Sequence, residues 1–161
     1  KTTVPLPEGL GFDLVFDPER AFDTTAFPSG GAGMVGTADD VARLLETFHG
    51  RDGSLLGIAT ARNAMRDHIG TQAGTQGPGW GFGYGGAVLG DPELAQSPQS
   101  VGTMQWGGVY GHTWFVDPAQ GWTVVILTNT ASEGTSGAFP REASDEVQGR
   151  PSQPGRRADA D

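Results

Sequence analysis

The sequence predicts an α+β fold, an antiparallel sheet flanked by helices, and three observations carry that expectation. Two helix-like stretches come first, strand-like runs follow them, and the strand–helix–strand alternation that builds parallel sheets does not occur. The first helix has the clearest signal. Thr37 is a good N-cap with Asp40 three residues on, and Asp39 and Asp40 suit the positive end of the helix dipole. Val41, Leu44, Leu45 and Phe48 then recur at i, i+3, i+4 and i+7, and Gly50 supplies the stop. A weaker helix is expected over Ile58–His68, with Ile58, Ala61, Met65 and Ile69 on one side and Gly70 after it.

The segment GTQAGTQGPG (70–79) reads as a loop, and WGFGYGGAVL (80–89) as a glycine-rich strand. Residues 102–108 and 112–117 read as a strand pair, and DPAQG (117–121) as a turn with Pro at its second position. The run WTVVILT (122–128) is nearly continuous in β-branched residues, as in a central strand with both faces covered. Near the N-terminus, Phe12 to Phe16 reads as an edge strand or an ordered loop. Residues 138–148 suit a last short helix, so the expected organisation is one incomplete domain over 1–140, a terminal helix over 141–148 and a tail over 149–161. That tail, ending RPSQPGRRADAD, has almost nothing to bury and is expected to be disordered.

Composition narrows the function classes. With 161 residues, 36% of them hydrophobic, the chain suits one domain, while Gly 27 and Pro 11 imply many turns. A net charge of -9, with Lys and Arg numbering 10 and no basic run apart from Arg156-Arg157, argues against a nucleic-acid partner. The absence of cysteine excludes a disulfide framework, a thiol nucleophile and Cys-bearing zinc sites, and says nothing about compartment. No apolar run approaches about 18 residues, so no membrane span is expected. The chain starts at Lys1 without Met or a signal-like apolar core, so a longer natural N-terminus is expected.

Several motifs have bland explanations. GAGMVG (31–36) fits G-x-G-x-x-G and precedes a helix, but Pro28 and Ser29 stand where a buried strand should end, so a tight loop entering a capped helix is favoured. The same spacing at Gly81, Gly83 and Gly86 has no helix after it. His49, His68 and His112 lack zinc-helix spacing, and the first two sit at expected helix ends, where partial positive charge is favourable. His112 follows the Trp-Gly-Gly strand; since no G-x-S-x-G occurs, a strand histidine bonded to a neighbouring carbonyl is the favoured role. Asp39 and Asp40 point in different helix directions and read as dipole compensation.

Three blocks together carry a resemblance: FPSGGAGMVGTADDVARLLETF, then GWGFGYG, then MQWGGVYGHTWFVDPAQGWTVVILTN. In that order and at those separations they resemble the C-terminal part of the serine hydrolases with the class C β-lactamase (DD-peptidase) fold, and within them the family VIII carboxylesterases. Such sites join a Ser-x-x-Lys at a helix start, a tyrosine motif on a loop, and a third motif on the innermost strand. Where β-lactamases place Lys-Thr-Gly, these esterases place Trp-Gly-Gly. The resemblance implies that Trp106, Gly107, Gly108 and Tyr110 meet the substrate and that the backbone N–H of Val109 is an oxyanion-hole donor. Glycines would keep the strand open to the substrate carbonyl, and one such N–H can lower the barrier by about 3 to 4 kcal/mol. Trp106 in place of lysine removes a carboxylate-holding cation and leaves an apolar wall, which favours neutral esters. Strand alternation would put Met104, Trp106 and Gly108 on one face.

The one lysine is Lys1, so no Ser-x-x-Lys exists in these residues, and Tyr84 and Tyr110 are outside a tyrosine motif of the expected kind. The resemblance therefore implies a carboxylesterase whose nucleophile and base lie elsewhere, with a small-molecule ester as substrate, no cofactor or metal, and the missing N-terminal portion of its own fold as partner. Alternatives are a β-lactam or D-amino-acid-peptide hydrolase, disfavoured by Trp106, a catalytically silent binding protein of the same fold, and an α+β domain whose Trp-Gly-Gly is only a bulged strand.

Overall fold

Two antiparallel sheets organise the chain in the computed structural model, which describes residues 2–5, 13–31, 33–51, 55–72, 74 and 76–149. They fall in separate compact units, residues 1–37 and 38–161. In the first unit β1 (Thr2–Pro5) pairs with β2 (Asp13–Phe16), with Thr2 opposite Phe16, and a 3₁₀ turn at Pro18–Phe22 follows. The apolar patch is thus a strand from Asp13 onward; Phe12 lies outside the described residues, as do residues 150–161 of the expected tail.

The second unit begins with α1 (Ala38–Glu46), a 3₁₀ turn at Thr47–His49, and α2 (Ile58–Ala64). Then come β3 (Trp80–Phe82), β4 (Ala87–Leu89), β5 (Met104–Gly107), β6 (Thr113–Asp117) and β7 (Trp122–Ile126), with α3 (Glu133–Ser136) and α4 (Phe139–Val147) closing the chain. The five strands form a meander in sequence order, each pair antiparallel. α1 packs against β7 and brings Val41 and Leu45, with Phe48 of the following turn, to a cluster that includes Met65, Val88, Met104 and Val116. Met104 stands opposite Val88 on one side and Val116 on the other, and both Met104 and Val116 are fully buried. Burying one such side chain contributes about 1.5 to 3 kcal/mol, so this cluster fixes the face that β5 turns inward. Phe115, on the opposite face of β6, is buried as well.

Two expectations change here. α2 stops at Ala64, because Asp67 and His68 leave the helix to bind β3. The Asp67 carboxylate accepts from the N–H groups of Ile69, Gly70 and Phe82 at 3.1, 2.8 and 3.0 Å, and the His68 N–H donates to the Phe82 carbonyl at 2.9 Å. The stretch 80–89 is a hairpin and not one strand: the Gly83 N–H donates to Gly86 O at 2.8 Å, closing a turn in which only Tyr84 carries a side chain. Within the described residues the β-branched run at β7 pairs with β6 and is partly exposed throughout. Its apolar character serves α1, which lies on one face of it.

His49 also departs from expectation. Burial holds its imidazole below the ordinary 6.5, against the opposing pull of Glu46, and its Nε2 bonds the Thr123 hydroxyl of β7 at 2.9 Å. It is a neutral tie between the 3₁₀ turn and the sheet, not a cation at a helix end. Asp67 is likewise held below its ordinary 3.8, mainly by the N–H groups of Gly70 and Phe82. For both groups the folded pKa is the lower one, so the unfolded chain takes the proton first and stability falls as pH drops. The His49 contribution is complete above pH 6.5 and is lost as pH falls through the folded value; that of Asp67 is complete above pH 3.8 and is lost below it. A pH series of melting temperatures should therefore decline from 6.5 downward, and His49→Gln should flatten the upper part of that decline. An unchanged slope in the variant would show that His49 does not titrate with unfolding.

Candidate active site

β4 stops pairing with β5 at Ala87, which faces Gln105, so Trp106 and Gly107 run on with a strand partner only on the β6 side. The chain then reverses. The Gly108 N–H donates to His112 O at 2.9 Å, and the Gly111 N–H donates to Gly108 O at 2.9 Å. Because N–H directions alternate along a strand, the Gly107 N–H points away from β6, to the edge that β4 has left. Gly111 holds φ at +103°, a conformation open to glycine, and the Thr128 hydroxyl donates to its carbonyl at 2.7 Å. The Ser132 N–H ties down the Val109 carbonyl at 2.7 Å, with Ser132 itself at φ +65°. The Val109 N–H has no acceptor among the described residues.

The glycines serve a second purpose that the sequence did not announce. A Cβ on Gly107 would collide with the Gly134 carbonyl oxygen of α3, and one on Gly134 would collide with the His112 carbonyl. A Cβ on Gly108 would fall on the imidazole of His112. These glycines also admit the chain's own backbone and His112. His112 departs from expectation: its backbone carbonyl makes the bond to Gly108, while the imidazole is exposed and its nitrogens meet no partner among the described residues. The signal for His112 was its position directly opposite Gly108 when the β5–β6 register is continued. Gly134 gave no signal of its own.

Trp106 is partly buried. Its ring meets Phe82 edge-on, centroids 5.1 Å apart and planes at 88°, and it packs against the cluster of Trp80, Ala87 and Leu89. Met104, expected on the same face, belongs to the other cluster. At the bare turn Gly85–Gly86, the place of a Gly86 Cβ is 2.5 Å from the Gln105 carbonyl oxygen and 3.3 Å from the Trp106 Cβ, so the β5 chain itself lies where a side chain would stand. Tyr110 sits exposed in the reversal, beside Val109. Tyr84 is engaged elsewhere, stacked on His68 with centroids 4.2 Å apart. Two further residues position the site. Asp117, fully buried, accepts from the N–H groups of Ala119 and Gln120 and, at 3.1 Å, of Ser100, so it joins the β6–β7 turn to the segment before β5. The Glu133 carboxylate accepts from the Phe139 N–H at 2.7 Å and fastens α4 to α3.

An antiparallel meander backed by a helix, with an open strand edge ending in a glycine reversal, defines the class. The chain belongs to the Beta-lactamase family, whose sequence model matches residues 2–148. It is 55% identical over 147 residues to Esterase EstB of Burkholderia gladioli, covering 91% of this chain and 37% of that protein. It is also 55% identical to the solved structure of EstCE1, a hydrolase with promiscuous acyltransferase activity, with a TM-score of 0.83 over 91% of this chain and 39% of the other. Simvastatin synthase (LovD) from Aspergillus terreus has the same fold, with a TM-score of 0.61 at 18% identity over 74% of this chain and 34% of its own. The chain thus spans just over a third of the length of the relatives it matches.

The packing yields a stability prediction. Gly107→Val forces a side chain against the backbone of α3 and should cost about 1 to 3 kcal/mol, as overpacking does. Gly108→Ala should cost less, since the exposed His112 ring can swing into solvent. Urea unfolding at constant m would separate the two, and a neutral Gly107→Val would mean that α3 does not pack on β5.

Proposed function

We propose that the chain supplies the innermost strand and second oxyanion donor of a longer serine carboxylesterase that cleaves neutral esters through an acyl-enzyme. The observation that carries this reading is the unpartnered Val109 N–H, directly after Trp-Gly-Gly on a half-open strand, in a chain 55% identical to a protein named an esterase. An ester carbonyl laid along the free edge of β5 brings its oxygen to that N–H. As the nucleophile adds, negative charge develops on the oxygen, and a donor already fixed in place stabilises it without reorganisation. Trp106 walls the acyl side, Gly107 and Gly108 allow the approach, and Tyr110 borders it. The serine, its lysine and the tyrosine base belong to the remaining length of the fold, which completes the pocket. The chain by itself then has a donor and a wall but nothing to attack with.

Accordingly, the 161-residue chain assayed with p-nitrophenyl acetate and butyrate should show no turnover above buffer. Saturable turnover that disappears on denaturation would place a nucleophile within these residues. In the complete protein, Trp106→Ala should change the preference between acetate and butyrate esters. It should cost less stability than the about 3 to 5 kcal/mol of a fully buried tryptophan. Trp106→Lys should exchange ester activity for affinity toward carboxylate-bearing β-lactams. A large loss of stability with unchanged chain-length preference would make Trp106 a core residue only.

A further inference from the structure

His112 is the polar group that the proposed esterase chemistry leaves unused. Its imidazole is exposed, neither ring nitrogen has a partner among the described residues, and the ring lies over Gly108 with Nδ1 2.9 Å from the place of a Gly108 Cβ. Gly108 and Val109 are consecutive, so their Cα atoms are about 3.8 Å apart. A carbonyl oxygen bound to the Val109 N–H would thus sit one residue along from the position that the imidazole covers. The His112 backbone from which the ring projects is fixed from both sides, by the Gly108 N–H and by the close approach of Gly134. Any side chain on Gly108 would displace it. Continued β5–β6 register places His112 opposite Gly108 and on the same side of its strand as Trp114, which gives that position one donor and acceptor.

We infer that His112 is a substrate-contacting residue that selects esters carrying a hydrogen-bonding group, such as a hydroxyl, on the carbon next to the scissile carbonyl. This rests on the esterase reading and sharpens it: Trp106 disfavours carboxylates, while His112 favours neutral esters with a polar α-substituent. The hydroxyl donates to, or accepts from, the imidazole edge while the carbonyl oxygen accepts from Val109.

The test uses the complete protein and the ratio of kcat/KM for ethyl 2-hydroxybutyrate to that for ethyl butyrate. His112→Phe keeps a flat ring over Gly108 and removes both nitrogens. It should lower that ratio by about fivefold, the size that one neutral hydrogen bond supports, with the melting temperature unchanged. His112→Gln should restore part of the ratio. A purely packing role would change both esters equally, and an unchanged ratio in H112F overturns the inference. Should H112F fail to fold, the wild-type imidazole ¹⁵N resonances of His112 decide. A shift with 2-hydroxybutyramide but not with butyramide supports the contact, and equal or absent shifts overturn it. Absence of wild-type turnover on both esters would instead sink the esterase reading, leaving the resonance comparison to judge His112.

Discussion

The candidate site depends on one steric constraint, the close approach of three segments at positions where glycine leaves room. Gly107 and Gly108 leave β5, Gly111 and His112 return into β6, and Gly134 of α3 closes against both. Each of these approaches is shorter than a side chain permits, so the reversal exists only because glycine stands on the facing positions. Its consequence is electronic as much as steric. Two hydrogen bonds within the turn, one from Ser132 and one from Thr128 occupy the surrounding carbonyls, while the Val109 N–H keeps no acceptor among the described residues. A donor left unpaired in a partly buried turn is a cost that a stable loop would ordinarily remove.

The rest of the second unit holds that reversal still. Met104, locked between Val88 and Val116 and covered by α1, sets the rotation of β5 two residues before Trp106. Asp117 fastens the far end of β6 to Ser100, and Asp67 fastens the end of α2 to β3. These carboxylates act as fixed acceptors for N–H groups that have no helix or strand partner, which is why short strands of three to five residues suffice here. The fold survives at 18% identity in LovD, so it does not require most of these particular residues.

Much of the architecture was legible in the sequence because periodicity and caps are local. α1 begins directly after Thr37 and its Val41 and Leu45 reach the core, and β6 and β7 flank a turn that Asp117 and Pro118 announce. What was missed depends on groups distant in the chain. The ending of α2 is decided by Asp67 bonding Phe82 fifteen positions on, and the splitting of 80–89 into a hairpin is decided by glycines whose role is visible only once β5 lies beside them. At the site, Trp106, Gly107, Gly108, Val109 and Tyr110 were picked out by resemblance alone. His112 and Gly134 came from packing that no spacing rule anticipates.

The account stands or falls on Val109. The most direct measurement is a crystal structure of the complete protein after reaction with a p-nitrophenyl alkylphosphonate, whose phosphoryl oxygen stands where the oxyanion of the acyl transfer would be. The account predicts that oxygen about 2.7 to 3.1 Å from the Val109 nitrogen, lying along the free edge of β5 beside Trp106. A phosphoryl oxygen bound elsewhere, with the Val109 N–H donated to the protein's own backbone, would contradict it.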